Sequence, residues 1–326
     1  MKPVFSPYTF ARVAAMKSKL FNKEDYDKLL KMGYNEALRY LQDSQYRKEI
    51  DEFDVSTKGL EVIEAALNAN LMHQAKKLHR ISQDDLQKMI AGYLLRYDME
   101  NIKIILRGKY AGLATEKIEP LLYPSINLSQ ELIKELLAAS SADEVLRKLP
   151  FIKEHPEQLF AMENLLDSYY LNQLADFAAS LSGAGKAVAE LITKEIEIIN
   201  VKTILRLKQE NLSTTEIIRY VQHPSTLTNK ILSAANLQEA IHLLNEKRIT
   251  TLQGDEEDLL AKLEIDLDSY LLHKQSLLLH QEILSVNWIL GYLFAKEIET
   301  RNLKALIKGK KLGLKDEILE RLLVVP

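Results

Sequence analysis

The residues of this chain that could do chemistry are few, and their spacing fits no catalytic motif. His273 and His280 stand seven apart and could share one helix face as metal ligands; His73 and His79 stand six apart. Neither pair has an HExxH arrangement or carboxylates at ligand spacing, and a zinc site needs three or four donors. The stretch Ser182-Gly183-Ala184-Gly185-Lys186-Ala187 superficially has the glycines and lysine of a phosphate loop. The loop's first glycine would fall at Ser180, and Ala187 stands where a Ser or Thr must ligate Mg²⁺, so the stretch reads as a flexible break between helices. The carboxylate pairs Asp84-Asp85 and Glu256-Glu257 read as solvated turns, and the single Trp288 as core. The absence of Cys excludes disulfides, thiolate metal sites and Cys nucleophiles. No catalytic residue, metal site or cofactor is therefore expected.

What the chain does contain is a pattern written three times without gaps. Asp98-Met99-Glu100-Asn101-Ile102-Lys103-Ile104-Ile105-Leu106-Arg107-Gly108-Lys109 aligns with Glu197 to Lys208 and with Glu299 to Lys310. The shared form is acid-x-x-Asn-aliphatic-Lys-x-aliphatic-aliphatic-base-x-Lys. A weaker echo precedes each copy: Leu29-Leu30 leads to Glu36-Ala37-Leu38, Leu136-Leu137 to Glu144-Val145-Leu146, and Ile231-Leu232 to Glu239-Ala240-Ile241. With Pro124, Pro224 and Pro326 as closing marks, the units run 25–124, 125–224 and 225–326, after an N-terminal extension at 1–24 that packs on the first unit. A period near 100 residues is too long for a solenoid of helix pairs and fits three similar helical domains in series.

The motif's polar residues sit at informative places. On a helix, residues three apart share a face, so Asp98 stands by Asn101, Glu197 by Asn200 and Glu299 by Asn302. Asn101 falls inside the apolar stripe Leu86, Ile90, Leu94, Tyr97, Ile104, Ile105, where an amide must find partners or cost about 1–3 kcal/mol. Two readings stand: each pair bonds a neighbouring helix end and fixes packing, or the three pairs form a polar set that faces a partner. The basic ends Arg107/Lys109, Arg206/Lys208 and Lys308/Lys310/Lys311 lie where helices should finish and complement the macrodipole there. They could also converge on one side and meet an acidic or polar partner. Lys103 and Lys304 fall on the opposite, charged face.

The elements that must position these residues are helices. The chain of 326 residues is 47% hydrophobic, with only 11 Gly and 8 Pro, which leaves a β protein short of turns and suits long helices with short loops. Ser82 with Asp85 resembles an N-cap signal, Gly108 and Gly112 lie where the first motif helix should end, and Asp255-Glu256-Glu257-Asp258 opens a helix on its favoured acidic side. No run alternates well enough to be a strand. Formal net charge is −3, without the global basic bias of most nucleic-acid binders. No signal peptide is visible. The uncharged run Ile283–Ala295 is bracketed by Glu282 and Lys296 and is far shorter than the roughly 20 residues a membrane span needs, so it reads as a helix buried in protein.

The triplicated motif, the all-helical composition and the near-equal thirds resemble the C subunit of the archaeal and bacterial A/V-type ATP synthases, the counterpart of the d subunit of the vacuolar ATPase. The most specific parts are Leu94-Leu95-Arg96-Tyr97-Asp98 through Lys109 and the closing stretch from Tyr292 through Arg321 to Val324-Val325-Pro326. The opening Tyr8-Thr9-Phe10-Ala11-Arg12-Val13 also matches the family's start. The resemblance covers essentially the whole chain. It implies three similar helical domains arranged as a pseudo-threefold funnel. It further implies a rotor spacer without an active site, seated on the membrane ring of proteolipids at the cytoplasmic face and receiving the D and F subunits of the central stalk. Membrane association would be indirect, through the ring. A cytosolic helical scaffold for protein clients would share the repeats, and a metal-dependent hydrolase built on His273 and His280 ranks behind both.

Overall fold

The computed structural model describes residues 7–53, 60–181, 183–253, 258–277 and 285–324. Its described residues form seventeen α-helices and three short 3-10 turns, and no strand. Helices α1 (Pro7–Lys17), α2 (Lys23–Lys31), α3 (Tyr34–Gln42) and α4 (Arg47–Glu52) lead into the long α5 (Leu60–Ile81) and α6 (Asp84–Tyr110) and the one-turn α7 (Thr115–Ile118). Apart from α1 and the extra short α4, this set from α2 to α7 runs short, short, long, long, short, an order that recurs in α8 (Gln130–Leu137), α9 (Ala142–Arg147), α10 (Leu159–Ser180), α11 (Lys186–Gln209) and α12 (Thr214–Ile217). It recurs again in α13 (Thr226–Ser233), α14 (Leu237–Glu246), α15 (Leu259–Ser276), α16 (Val286–Lys311) and α17 (Asp316–Leu322).

Side chains at the ends dictate where many of these helices begin. Asn22, Ser129, Ser141, Ser225, Asn236 and Ser285 each accept a hydrogen bond from a first-turn amide, a cap worth about 1 kcal/mol. Ser82 does not cap α6. Its buried hydroxyl donates 2.7 Å back to the Leu78 carbonyl and so finishes α5, leaving Gln83 as the N-cap of α6. The motif helices finish alike. Gly112, Asn211 and Gly313 take left-handed backbone (φ 68, 60 and 70), and the next amide bonds back to the carbonyl of Gly108, Leu207 or Gly309 at 2.8, 3.1 and 2.9 Å. This is a Schellman ending, and glycine or asparagine is favoured at its left-handed residue. Gly108 serves differently: a Cβ there would lie 2.5 Å from Ile118, so its missing side chain is what lets α7 pack onto α6.

The described residues fall into two compact bodies, one within 1–166 and 279–326, the other within 167–278. In the first, Tyr26 and Leu29 of α2, Ala37 and Leu41 of α3, Ile50 of α4 and Ile63 and Leu67 of α5 pack with Leu303, Leu306 and Ile307 of α16. Residues from both ends of the chain thus share one core. Trp288 is buried in this body, 4.6 Å from the Phe10 ring. In the second body, Val201, Ile204 and Leu205 of α11 pack with Ile231 of α13, Ile241 and Leu244 of α14 and Leu263 and Leu267 of α15. No described helix is long and apolar enough to cross a membrane. Of the run at 283–295, the first two residues lie outside the described ones; the rest is the turn and buried start of α16. Asp255-Glu256-Glu257, Ser182, His280, Val325 and Pro326 also lie outside them.

Candidate functional site

Each motif helix carries its asparagine on a buried face, and all three asparagines make the same joint. The Asn101 Nδ2 donates to the Tyr123 carbonyl at 2.9 Å, and its Oδ1 accepts the Tyr123 amide at 2.7 Å. Asn200 pairs in the same way with Gln222, at 2.6 and 3.1 Å, and Asn302 with Val324, at 2.7 and 3.1 Å. The partner lies 22 residues downstream in every case. A carboxamide has the donor and acceptor of a peptide unit, so it pairs with one residue's backbone as a strand would, and clamps the segment after each short closing helix (α7, α12 and α17) to the motif helix.

The acid three residues before each asparagine secures a second point. Asp98 accepts from the Ser125 hydroxyl and from the Asn127 side-chain amide, the latter at 2.7 Å. Glu197 accepts from the Ser225 hydroxyl, which also caps α13, and from the Lys194 ammonium. Glu299 accepts from the Phe21 amide at 2.6 Å, Tyr46 at 2.5 Å, Gln45 at 2.9 Å and the fully buried Lys296 at 2.8 Å. Burial pushes the Lys296 ammonium below its ordinary pKa, against the pull of Glu299. Burial and the same carboxylate hold the Tyr46 hydroxyl well above its own. The polar triplets therefore spend these bonds on the protein's own backbone and side chains.

The basic ends divide by position. The final lysine of each copy turns inward, half-buried. Lys310 donates to the Leu30 carbonyl at 2.8 Å, Lys208 to the Ala234 carbonyl at 2.5 Å, and Lys109 to Thr115 at 3.3 Å, whose hydroxyl reaches the Leu137 carbonyl. In each case the carbonyl closes the first short helix of a set, α2, α13 or α8. The earlier basic residue is exposed and staples two long helices. Arg107 meets Glu163 of α10 at 2.6 Å, Arg206 meets Glu264 of α15 at 2.5 and 2.7 Å, and Lys308 meets Glu64 of α5 at 3.9 Å. Glu264 is held below the ordinary carboxylate range by its hydrogen bond from Arg206. Lys311 is exposed, 5.7 Å from the centre of the Tyr34 ring. Lys304 is half-buried rather than fully solvated, and burial lowers its pKa.

The remaining candidates stand apart from this machinery. His273 is exposed on α15, and His73 Nδ1 is 2.8 Å from the buried Glu49. Among the described residues no group of three His, Cys, Asp or Glu is placed to hold a metal ion. Sequence reasoning overlooked Lys296, Tyr46, Gln45 and Phe21 around Glu299, and Tyr93 and Tyr97, whose hydroxyls both donate to Glu297. One signal was available: a lysine directly after a long apolar run, three residues before an acid.

Comparison with known proteins finds relatives over nearly the whole chain. The ATP synthase (C/AC39) subunit family matches residues 9–322. The C subunit of the A-type ATP synthase of Methanosarcina mazei is 32% identical over 332 residues, covering 98% of this chain and 92% of its own length. The Archaeoglobus fulgidus protein of the same name is 32% identical, with 98% and 96% covered. That of Haloquadratum walsbyi is 30% identical, with 96% of each covered. The match runs through all three motif helices, and the chain belongs to the ATP synthase (C/AC39) subunit family.

Proposed function

We propose that this chain is a non-catalytic rotor component of an A-type ATP synthase. It acts as a spacer between the central stalk, made of the D and F subunits, and the proteolipid ring of the membrane, on the cytoplasmic face. It passes torque between ATP chemistry and proton or sodium transport. The observation that carries the reading is the family match from residue 9 to 322. The repeated clamps support it, because a part that transmits torque must resist shear. Each clamp adds a two-point polar lock to an apolar pack, and left-handed turns with fixed hydrogen bonds end the motif helices. Units at 25–124, 125–224 and 225–326 would be the three domains of a pseudo-threefold funnel, with 1–24 packed on the first. A spacer also needs two large interfaces, since stable ones bury about 1,600 Å² and permanent ones more.

The basic helix ends belong to this proposal in two roles. Lys109, Lys208 and Lys310 brace the ends from within, while Arg107, Arg206, Lys308 and Lys311 stand at the surface to meet ring loops or lipid head groups. Capture from gently solubilised native membranes with a tagged copy tests the reading. Recovery of the proteolipid ring together with stalk and catalytic components is expected; recovery of soluble proteins alone would overturn it in favour of a client-binding scaffold. Reversing the exposed charges should weaken recovery most at low salt.

A further inference from the structure

The turn that follows α16 exposes a different chemistry from its two counterparts. Leu312 is 65% exposed, Leu314 38% and Ile318 46%, and Lys308, Lys311 and Lys315 stand exposed among them. After α11 the corresponding turn presents Glu210, Asn211 and a half-buried Leu212. After α6 it presents Tyr110 and Leu113, but Arg107 there is engaged with Glu163 and Glu100. Of the three, the last turn has the most exposed aliphatic side chain, Leu312, and joins it and the partly exposed Leu314 and Ile318 to Lys311 and Lys315, with Lys308 beside them 3.9 Å from Glu64.

That turn is also held firmly. The Leu314 amide bonds to the Gly309 carbonyl at 2.9 Å, and Lys310 ties the base of the turn to the Leu30 carbonyl. A Cβ added at Gly313 would meet nothing within 4 Å, as at Gly112 after α6, while the Leu314 side chain folds back to within 3.3 Å of where a Cβ on Gly309 would stand. Asp316 and Glu317 follow, placed on the favourable end of α17, with Asp316 turned to within 3.9 Å of Lys310. An exposed turn with apolar side chains at its centre and lysines at its margin matches a bilayer interface, where acyl chains accept the leucines and anionic head groups the ammonium ions.

We propose that the turn at 308–318 inserts directly into an anionic lipid surface, with Leu312 and Leu314 at the boundary between head groups and acyl chains and Lys308, Lys311 and Lys315 on lipid phosphates. This goes beyond attachment through the proteolipid ring and does not depend on it, so vesicle binding and capture of the complex can fail separately. The test is co-sedimentation of the full purified chain with vesicles of phosphatidylglycerol in phosphatidylcholine, against phosphatidylcholine alone, at low and high salt. Binding is expected only to the anionic vesicles and should fall with salt. K308Q/K311Q/K315Q should lower partitioning on the order of 100-fold at low salt, and L312S/L314S should lower it about tenfold while the melting temperature of each variant stays near that of the parent. No binding to anionic vesicles at low salt, or equal binding by the parent and both variants, overturns the proposal. Loss of complex recovery in the same variants without vesicle binding would instead assign the tip to a protein partner.

Discussion

The first two clamps and the third share one asparagine joint but differ in what secures the neighbouring acid. Asp98 is held by neutral donors 27 and 29 residues downstream, and Glu197 by a serine 28 residues downstream with a half-exposed lysine. Glu299 reaches instead to the opposite end of the chain, to Phe21, Gln45 and Tyr46, and its cation is completely buried. The third joint is therefore both a clamp and a latch between the chain's two ends, 278 residues apart at Phe21. Its electrostatics are those of the interior. Removing Glu299 strands a buried cation there; Asp98 is as buried but is held by neutral donors, and the lysine that meets Glu197 reaches solvent.

That contrast orders the expected effects of substitution. Glu299→Gln should be the most damaging, by about 3–5 kcal/mol in denaturant unfolding, because Lys296 is left charged and unpaired in the core. Lys296→Met in the same background should recover much of the loss; an equal loss in the double variant would show that the ion pair is not what closes the latch. Next come Asn101→Ala, Asn200→Ala and Asn302→Ala, each expected to cost about 1–3 kcal/mol by orphaning a backbone amide and carbonyl. Near-equal costs would mark the asparagine joint as one device used three times, and a much smaller cost at one position would single out a joint that water can replace. Smallest is Arg206→Gln, which removes a largely exposed pair and should cost less than about 1 kcal/mol. Because Glu264 is depressed in the folded state, that contribution is present above the ordinary carboxylate value of 4.5 and lost as pH falls below it. Acid titration of stability in R206Q should accordingly lose part of its slope below that pH.

Much of this was written in local sequence. Helix class followed from the poverty of Gly and Pro, the triplet followed from alignment of the chain with itself, and burial of Asn101 followed from its place between Tyr97 and Ile104. The asparagines' partners were not legible, since a backbone amide and carbonyl 22 residues away belong to any residue type: here Tyr123, Gln222 and Val324. The basic ends were found by position and their directions were not. A lysine near a helix terminus satisfies the macrodipole whether it points outward, as Lys311 does, or reaches a neighbouring helix's last carbonyl, as Lys310 does. The latch at Glu299 was least visible, because it depends on packing α16 against residues more than 250 positions earlier. Ser82 shows the same limit in miniature: the cap pattern was present, but its hydroxyl found a nearer carbonyl.

Hydrogen exchange of the Phe21, Tyr123, Gln222 and Val324 amides, compared between the parent chain and E299Q, tests most directly the claim that three like joints are secured by unlike means. Loss of protection at Phe21 and Val324, with Gln222 unchanged and Tyr123 affected far less, is the predicted result. Retained protection at Phe21 and Val324 in E299Q would contradict the latch, and equal loss at all four amides would contradict the separate securing of each clamp.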